Sequence, residues 1–346
     1  MALRHDLRVL IGGFTDVDSG SAPRGLAVQR VGADGSVSHE GSLELENPTW
    51  ITPSHDPMRY YVSHSARRQL SLVELGTGGA LSLVDQIDIG ATNPAHVSLS
   101  GDRRHVIASC FTEGVVVEVA VNPDGTFTSV ERTWDANRAM ASATRRNRLQ
   151  SDAEPHQSVP FAGGALVPDR AQDVVWRIDA NSNLTPAAVV RPGAGPRHLA
   201  LHPDAPVAYL VGELDSTLIT FRSEGEALTP IDVRTTLPSD WFGDSAAAGI
   251  TVDAARGRLY LSNRGHDSVA VFDIAHPEQP RLLDWLPAGG RTPRFIGLLA
   301  GVDALAIATQ DSDRVDLLSA EDAARITGER ISLRHTAPTC VVAVQG

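Results

Sequence analysis

The sequence contains no lysine, and all 30 of its basic residues are arginines. It therefore offers no lysine for Schiff-base chemistry or for a phosphate-binding P-loop. Cysteine is almost as scarce, with only Cys110 and Cys340 present. Both lie in apolar segments, which favours two buried free thiols over a disulfide or a catalytic nucleophile.

Aromatic residues make up only 5% of the 346 residues, and no apolar run reaches the roughly 18 residues that a membrane-spanning helix needs. The amino-terminal segment has neither the apolar core nor the cleavage pattern of a secretory signal, so we expect a cytoplasmic protein. The formal net charge of −12 disfavours nucleic acids and membranes as partners. A small-molecule ligand remains, and the sequence does not indicate an oligomeric state.

Short apolar segments rich in Val, Ile and Leu dominate the chain, and Gly, Pro, Asp and Asn separate them. Such segments are typical of β-strands. One unit repeats along the chain and consists of a short opening segment, a turn and two strands. Its copies begin at Asn47, Asn93, Glu154, Gly195, Ala246, Thr292 and Ala337. The opening segment contains a proline in all copies but one.

The spacing of these copies, roughly 40–60 residues, is the period of propeller blades. We therefore predict an all-β fold, a seven-bladed β-propeller that forms a single domain over residues 1–346. The alternative, two separate β domains, is disfavoured because the composition does not change along the chain. After Pro338 only one strand remains, so we predict that Thr339–Gln345 pairs with amino-terminal strands and closes the ring.

The start of each innermost strand should face the central channel, where propellers usually bind ligands. The side chains predicted there or at the nearby ends of second strands are His64, His96, His156, Arg197, His198, Glu213, Arg264 and Arg294. Arginine binds carboxylates and phosphates, and histidine or glutamate can transfer protons. Taken singly, each histidine is more often structural. Glu213 follows an apolar strand, so it needs an arginine partner or has a raised pKa.

One polar stretch, residues 134–154, interrupts the repeat and carries several arginines. It is either a lid over the channel or a solvated insertion. The sequence lacks a G-x-S-x-G nucleophile elbow, an H-E-x-x-H motif, a dinucleotide fingerprint and a compact group of metal ligands. We therefore expect neither a metal nor a cofactor.

Two stretches, PGAGPRHLALHP at residues 192–203 and RLYLSNRGHDS at 258–268, resemble the seven-bladed β-propeller lactonase family. That family includes bacterial 6-phosphogluconolactonases and fungal carboxymuconate-lactonizing enzymes. The resemblance covers nearly the whole chain and implies a metal-independent pocket at one end of the channel. It implies catalytic roles for His156, Arg197, Glu213 and Arg264. It also matches Arg148 and Gln150 to an Arg/Gln pair of the family.

The sequence departs from the family pattern around this pocket. The usual P-H-x-H is Pro155-His156-Gln157-Ser158 here, and D-L-G-x-D is Asp169-Arg170-Ala171-Gln172-Asp173. The usual A-E-I is Ala248-Gly249-Ile250, which removes a carboxylate, and His64 replaces a residue that is usually acidic or an amide. The resemblance therefore implies the fold more strongly than the substrate.

These observations favour a hydrolase of a small, acidic, sugar-type lactone. Either His156 or Glu213 would be the general base, while Arg197 and Arg264 would stabilise the oxyanion. Substrate-binding roles are predicted for His64, His96, Arg148, Gln150, His198 and Arg294. The alternatives are a lactonizing isomerase of an unsaturated di- or tricarboxylate, and a propeller that binds a partner without catalysis.

Overall fold

Almost all regular structure in the computed structural model is β-strand. The model describes residues 6–17, 22–142, 152–225, 227–299 and 301–344. Within these ranges lie 28 strands and two short α-helices, α1 (Ala136–Ser142) and α2 (Ala320–Ala324). Three single 3₁₀ turns accompany them at Thr77–Gly79, Ala254–Arg256 and Gln310–Ser312. None of the described helices is long and apolar enough to cross a membrane.

The strands form seven four-stranded antiparallel sheets, the blades of the predicted propeller, and this prediction is confirmed. Blade 1 consists of β1 (Leu7–Gly13), β2 (Leu26–Val31), β3 (Val37–Leu43) and β28 (Pro338–Ala343); blade 2 of β4 (Pro48–Pro53), β5 (Arg59–His64), β6 (Gln69–Leu75) and β7 (Leu81–Asp88); blade 3 of β8 (Pro94–Leu99), β9 (His105–Cys110), β10 (Val115–Val121) and β11 (Phe127–Asp135); blade 4 of β12 (Val159–Phe161), β13 (Gly164–Asp169), β14 (Val174–Ile178) and β15 (Leu184–Val189); blade 5 of β16 (Pro196–Leu201), β17 (Val207–Gly212), β18 (Thr217–Glu224) and β19 (Ala227–Thr235); blade 6 of β20 (Ala246–Asp253), β21 (Arg258–Arg264), β22 (Ser268–Asp273) and β23 (Arg281–Pro287); and blade 7 of β24 (Pro293–Leu298), β25 (Ala304–Thr309), β26 (Arg314–Ser319) and β27 (Ile331–Arg334).

The inner strands of a blade are apolar and buried, whereas the outermost strand is more polar and exposed. All six residues of β17 in the interior of blade 5 are buried, and they are apolar, aromatic or glycine. The outermost strand of blade 3, β11, exposes seven of its nine residues. The apolar clusters lie between neighbouring blades; one joins Tyr209 of blade 5 to Leu259 and Phe272 of blade 6. The core is therefore a series of interfaces between sheets that could not bury both faces alone.

The ring closes as predicted, because β28 from the carboxyl terminus is the innermost strand of blade 1. It pairs antiparallel with β1, from Val9 opposite Ala343 to Gly13 opposite Pro338. This pairing leaves blade 1 with the same four strands as the other blades and covers an otherwise free sheet edge. Cys110 and Cys340 are free and buried, in agreement with the sequence analysis. Of the polar stretch 134–154, residues 143–151 lie outside the described residues.

Candidate active site

Two rings of side chains meet at one end of the channel because every blade repeats the same local geometry. In six blades the first paired residue of the innermost strand lies opposite a residue near the end of the second strand, such as Pro196 opposite Gly212, and in blade 6 the equivalent pair is the second one, Ala247 opposite Asn263. The residues that follow these partners form two rings at the mouth, and all of them except Ala248 and Gln310 line the cavity described below. The inner ring consists of Thr49, Ala95, His156, Arg197, Ala248, Arg294 and Thr339. The outer ring consists of Phe14, Ser65, Phe111, Arg170, Glu213, Arg264 and Gln310.

A backbone hydrogen bond ties the two rings together. The N–H of Glu213 donates to the carbonyl of Gly195, which precedes Pro196, at 2.8 Å. Equivalent bonds join Ser65 to Asn47, Phe111 to Asn93, Arg170 to Glu154, Gln310 to Thr292 and Phe14 to Ala337. Gly195, Asn47 and Asn93 have positive φ, a conformation that glycine and asparagine adopt most readily. The fold thus fixes where each ring side chain starts.

Two buried aspartates hold the turns around the site in place. Asp169 accepts a hydrogen bond from the backbone N–H of Glu154, and burial raises its pKa to about 6. Asp173 accepts from the N–H groups of Gly193 and Gly195, in the turn that leads into Pro196. These aspartates position the strands that carry the inner ring.

The rings enclose a cavity of about 260 Å³. It is lined by Phe14, Thr49, Trp50, Ser65, Asn93, Ala95, Phe111, His156, Arg170, Arg197, His198, Glu213, Arg264, Arg294 and Thr339. The charged residues come from blades 4 to 7, and the aromatic and small residues come mainly from blades 1 to 3. The cavity therefore has a cationic side and a largely apolar side.

A continuous network joins four residues on the cationic side. Arg197 Nη1 donates to Glu213 Oε2 at 2.9 Å and to His156 Nε2 at 2.7 Å. Arg264 Nη2 lies 3.0 Å from Glu213 Oε1, and the Arg264 guanidinium also donates to the carbonyls of Ala246 and Ala247. Arg197 and Glu213 are only 3% and 7% exposed. The structure thus brings together the four residues to which the sequence assigned catalysis.

Glu213 is a carboxylate in this network. Its burial would raise its pKa, but the charges of Arg197 and Arg264 outweigh burial and lower the pKa to about 2. Both carboxylate oxygens are engaged by arginine, so Glu213 is a weak base at neutral pH. Of the two expectations for this residue, an arginine partner rather than a raised pKa is what the structure shows.

His156 is neutral. Burial lowers its pKa well below 6.5, and the charges of Arg197 and Arg294 lower it further. A guanidinium N–H only donates, so Nε2 of His156 accepts and the ring proton resides on Nδ1. Among the described residues, Nδ1 has no hydrogen-bond partner although it is buried.

Arg294 lies over the ring of Phe14, with its guanidinium carbon 5.3 Å from the ring centre. Burial lowers its pKa to about 10, so it stays protonated at neutral pH. Four arginines and Glu213 line the cavity, and Glu154 pairs with one of these arginines, Arg170, at 2.7 Å. The lining side chains and Glu154 together thus comprise four positive and two negative groups.

Ring stacking forms the floor of the cavity. Trp50 contacts His198 at 5.5 Å and His96 at 4.4 Å between ring centres, and His156 lies 5.2 Å from His198. His198 lines the cavity, whereas His96 lies behind Trp50 and is not among the lining residues. Burial lowers the pKa of His96 to about 3, so it is a neutral packing residue.

The structure places His64 away from the cavity. In blade 2 the outer ring position is occupied by Ser65, and His64 precedes it by one residue. Both its ring nitrogens are engaged, Nδ1 with the Glu46 carbonyl at 2.7 Å and Nε2 with Ser71 Oγ at 2.8 Å. His96 is likewise one residue past the inner ring position, which Ala95 occupies. Arg148 and Gln150 lie outside the described residues.

Several lining residues were missed by the sequence analysis. Arg170 is the most consequential, because it adds a fourth guanidinium to the cavity. The signal was present, since Arg170 follows β13 as Glu213 follows β17. Trp50, Phe14 and Phe111 were also missed, because short apolar segments do not reveal which aromatic side chain faces the channel.

One group of side chains with metal-ligand spacing occurs among the described residues. His105, Glu118 and Glu131 lie on three adjacent strands of blade 3, and none of them lines the cavity. His105 Nε2 is 3.2 Å from Glu131 Oε2, and Arg132 pairs with Glu118 at 3.1 Å. The sequence did not reveal this group because its members are distant along the chain.

Comparison with known proteins identifies the family. The profile described as "Lactonase, 7-bladed beta-propeller" matches residues 8–343. The chain belongs to this lactonase family. The periplasmic gluconolactonase PpgL of Pseudomonas aeruginosa is 24% identical, with a TM-score of 0.86 over 98% of this chain and 99% of its own.

Two further proteins also match this chain over nearly their full length. A Lactobacillus plantarum protein of solved structure is 21% identical, with a TM-score of 0.85 over 98% of this chain and 100% of its own. An uncharacterised Lactococcus lactis subsp. cremoris protein is 26% identical, with 97% of this chain and 98% of that protein covered. Structural likeness at these identities shows the shared propeller fold.

Proposed function

We propose that the protein hydrolyses a small lactone with an acidic substituent, in the cavity at the channel mouth. The observation that carries this proposal is the buried network of His156, Arg197, Glu213 and Arg264 beside an excess of positive charge. Family membership supports the reaction class, and the name of PpgL supports a sugar-derived lactone.

In the proposed reaction, water adds to the lactone carbonyl carbon and transfers a proton to a base. The carbonyl oxygen becomes an oxyanion, which the guanidinium groups of Arg197 and Arg264 stabilise. The bond to the ring oxygen then breaks, that oxygen takes up the proton, and a hydroxy acid results. The carboxylate of this product faces the same arginines.

We assign the base to His156 rather than Glu213. Both carboxylate oxygens of Glu213 are engaged by arginines, so neither is available to accept a proton from water. His156 is neutral with its lone pair on Nε2, which Arg197 occupies in this state. A substrate carbonyl that accepts from Arg197 would release that lone pair for water. Glu213 then positions the two arginines.

The apolar side of the cavity would pack against the carbon face of the substrate ring. Trp50 and Phe111 present ring surfaces there, and Phe14 supports Arg294. Arg294 has no hydrogen-bond or ion-pair acceptor among the described residues, so it is available to an acidic substituent. Such pairing of guanidinium with carboxylate or phosphate is strong when water is excluded.

The test is hydrolysis of a lactone panel, neutral and acidic, by the wild type and by His156→Gln, with product mass measured. We expect water to be gained and kcat to fall by about 10²–10⁴ in the variant, the range typical of a positioned acid–base group. Glu278→Gln, which disrupts an ion pair with Arg222, is the control and should retain activity. Isomerisation without a mass change would favour the lactonizing isomerase, and binding without turnover would favour a non-catalytic propeller.

Activity should survive exhaustive chelation. A loss of activity that an added metal ion restores would contradict the proposed metal independence.

A further inference from the structure

Arg170 occupies a place that the reaction proposed above does not use. It follows β13, lines the cavity, and is fixed at its backbone by a hydrogen bond to the Glu154 carbonyl. Its side chain is 26% exposed, compared with 3% for Arg197. Arg170 therefore lies nearer to solvent than the catalytic network and would meet substituents of the substrate rather than the reacting carbonyl.

The guanidinium of Arg170 is oriented but only partly used. Phe111 supports it, with the guanidinium carbon 5.1 Å from the ring centre. Nη2 pairs with Glu154 at 2.7 Å, whereas Nη1 lies 3.7 Å from Glu213, beyond hydrogen-bond distance. Nε is buried, and no described residue accepts from it. Two of its three nitrogens thus lack a close acceptor.

The ion pair that holds Arg170 is partly exposed to solvent. Glu154 is 24% exposed at the side chain, and burial raises its pKa above the ordinary value in spite of Arg170. The charged form of Glu154 is therefore less stable here than that of a glutamate in water. An incoming acidic group offers Arg170 the same chemistry as Glu154, and the two surplus positive charges of the cavity favour the exchange.

We propose that Arg170 is a specificity-determining residue that binds an acidic group of the substrate, a carboxylate or phosphate, in exchange for its contact with Glu154. This inference rests on the proposed function, since it names the substrate class of the same cavity. It also gives meaning to a departure in the sequence, where arginine replaces the leucine of the D-L-G-x-D pattern.

The experiment compares binding and turnover of ligands that differ by one acidic group. Binding of gluconate and 6-phosphogluconate is measured by calorimetry, and kcat/KM is measured for the corresponding lactones. In Arg170→Leu we expect the affinity for 6-phosphogluconate to fall by about tenfold or more, the worth of one charge-assisted hydrogen bond. Gluconate affinity should change little.

The control is Arg222→Leu, which removes an equal charge from a surface ion pair. It shows how much binding changes when only the net charge of the protein changes.

Glu154→Gln separates ligand binding from a structural role. If Arg170 exchanges partners, removal of the competing carboxylate tightens 6-phosphogluconate binding, opposite to the effect of Arg170→Leu. If Arg170 only braces Glu154 and Glu213, both variants weaken binding of both acids, and the inference is overturned. Equal selectivity of wild type and Arg170→Leu in a fully active enzyme would overturn it while sparing the hydrolase. Arg170-dependent binding in a protein that hydrolyses neither lactone would sink the proposed hydrolase alone.

Discussion

The substitution Glu213→Gln tests the electrostatic reasoning on which the site depends. In the folded protein the pKa of Glu213 is about 2 instead of 4.5, because Arg197 and Arg264 outweigh the burial of the carboxylate. A difference of that size corresponds to roughly 3 kcal/mol in favour of the charged form. Glutamine resembles the uncharged form, so the variant should lose about this much stability, which is also the range seen when one partner of a buried ion pair is removed.

The expected change in melting temperature follows from the size of the chain. Unfolding 346 residues has an entropy of roughly 0.7 kcal/mol/K, so a loss of about 3 kcal/mol lowers Tm by about 4 °C. The folded pKa lies below the unfolded one, so the contribution is complete above pH 4.5 and is lost as the pH falls towards 2. The difference between variant and wild type should therefore shrink below pH 4.5.

Differential scanning calorimetry at pH 7 and pH 4 measures this effect. The matched control is Glu278→Gln, whose ion pair with Arg222 has a similar N–O distance of 2.7 Å but is 42% exposed on both sides. Exposed pairs contribute about 0–1 kcal/mol, so its Tm should move by at most about 1 °C. A Glu213→Gln variant that is as stable as the wild type, or more stable, would show that burial costs the carboxylate more than the arginines return.

Three further predictions concern other parts of the molecule. Burial lowers the pKa of His96 to about 3, so between pH 6.5 and 3 the unfolded chain binds a proton that the folded chain excludes. Lowering the pH from 6.5 to 5 should therefore reduce the free energy of unfolding by roughly 2 kcal/mol through this residue. In urea unfolding, His96→Gln should lose less stability than the wild type over the same pH range. The kcat/KM of an acidic lactone should fall as ionic strength rises, whereas that of its neutral analogue should not, and equal salt dependence in stopped-flow or steady-state assays would contradict steering by the cavity arginines. A chain ending at Ala337 lacks β28 and leaves blade 1 open, so we expect it to be insoluble or to lose its cooperative unfolding transition in circular dichroism, and a stable, cooperative fragment would refute ring closure as a stability element.

The fold could be predicted because turn-forming residues mark each copy of the repeat. Proline and glycine recur at the start of the innermost strands, as at Pro48, Pro94 and Pro196, where the chain must turn sharply into the channel. Counting the copies gave the number of blades, and the single strand left after Pro338 gave the closure. The strands did not need to be resolved individually, since the period alone determines the architecture.

The site was predicted less completely, because a ring position tolerates no error in register. The repeat placed His64 at the end of the second strand, one residue before the true ring position, and successive side chains of a strand point to opposite faces. His64 therefore bonds inside its blade, while Ser65 faces the cavity. Four residues matched through the family motif, His156, Arg197, Glu213 and Arg264, were free of this error, because the motif supplies the register that periodicity does not.

Packing between blades 6 and 7 restricts which residue can follow Ala248 in the innermost strand of blade 6. Gly249 occupies the place in blade 6 that His198 occupies in blade 5, and a Cβ there would lie 2.9 Å from the backbone nitrogen of Ile296. Restoring the acidic residue of the A-E-I pattern therefore requires a local shift of the backbone, at Gly249 or at Ile296. Loss of that carboxylate and gain of Arg170 act in the same direction, since both make the cavity more positive. Both changes are in keeping with the acidic substrate that we propose for this cavity.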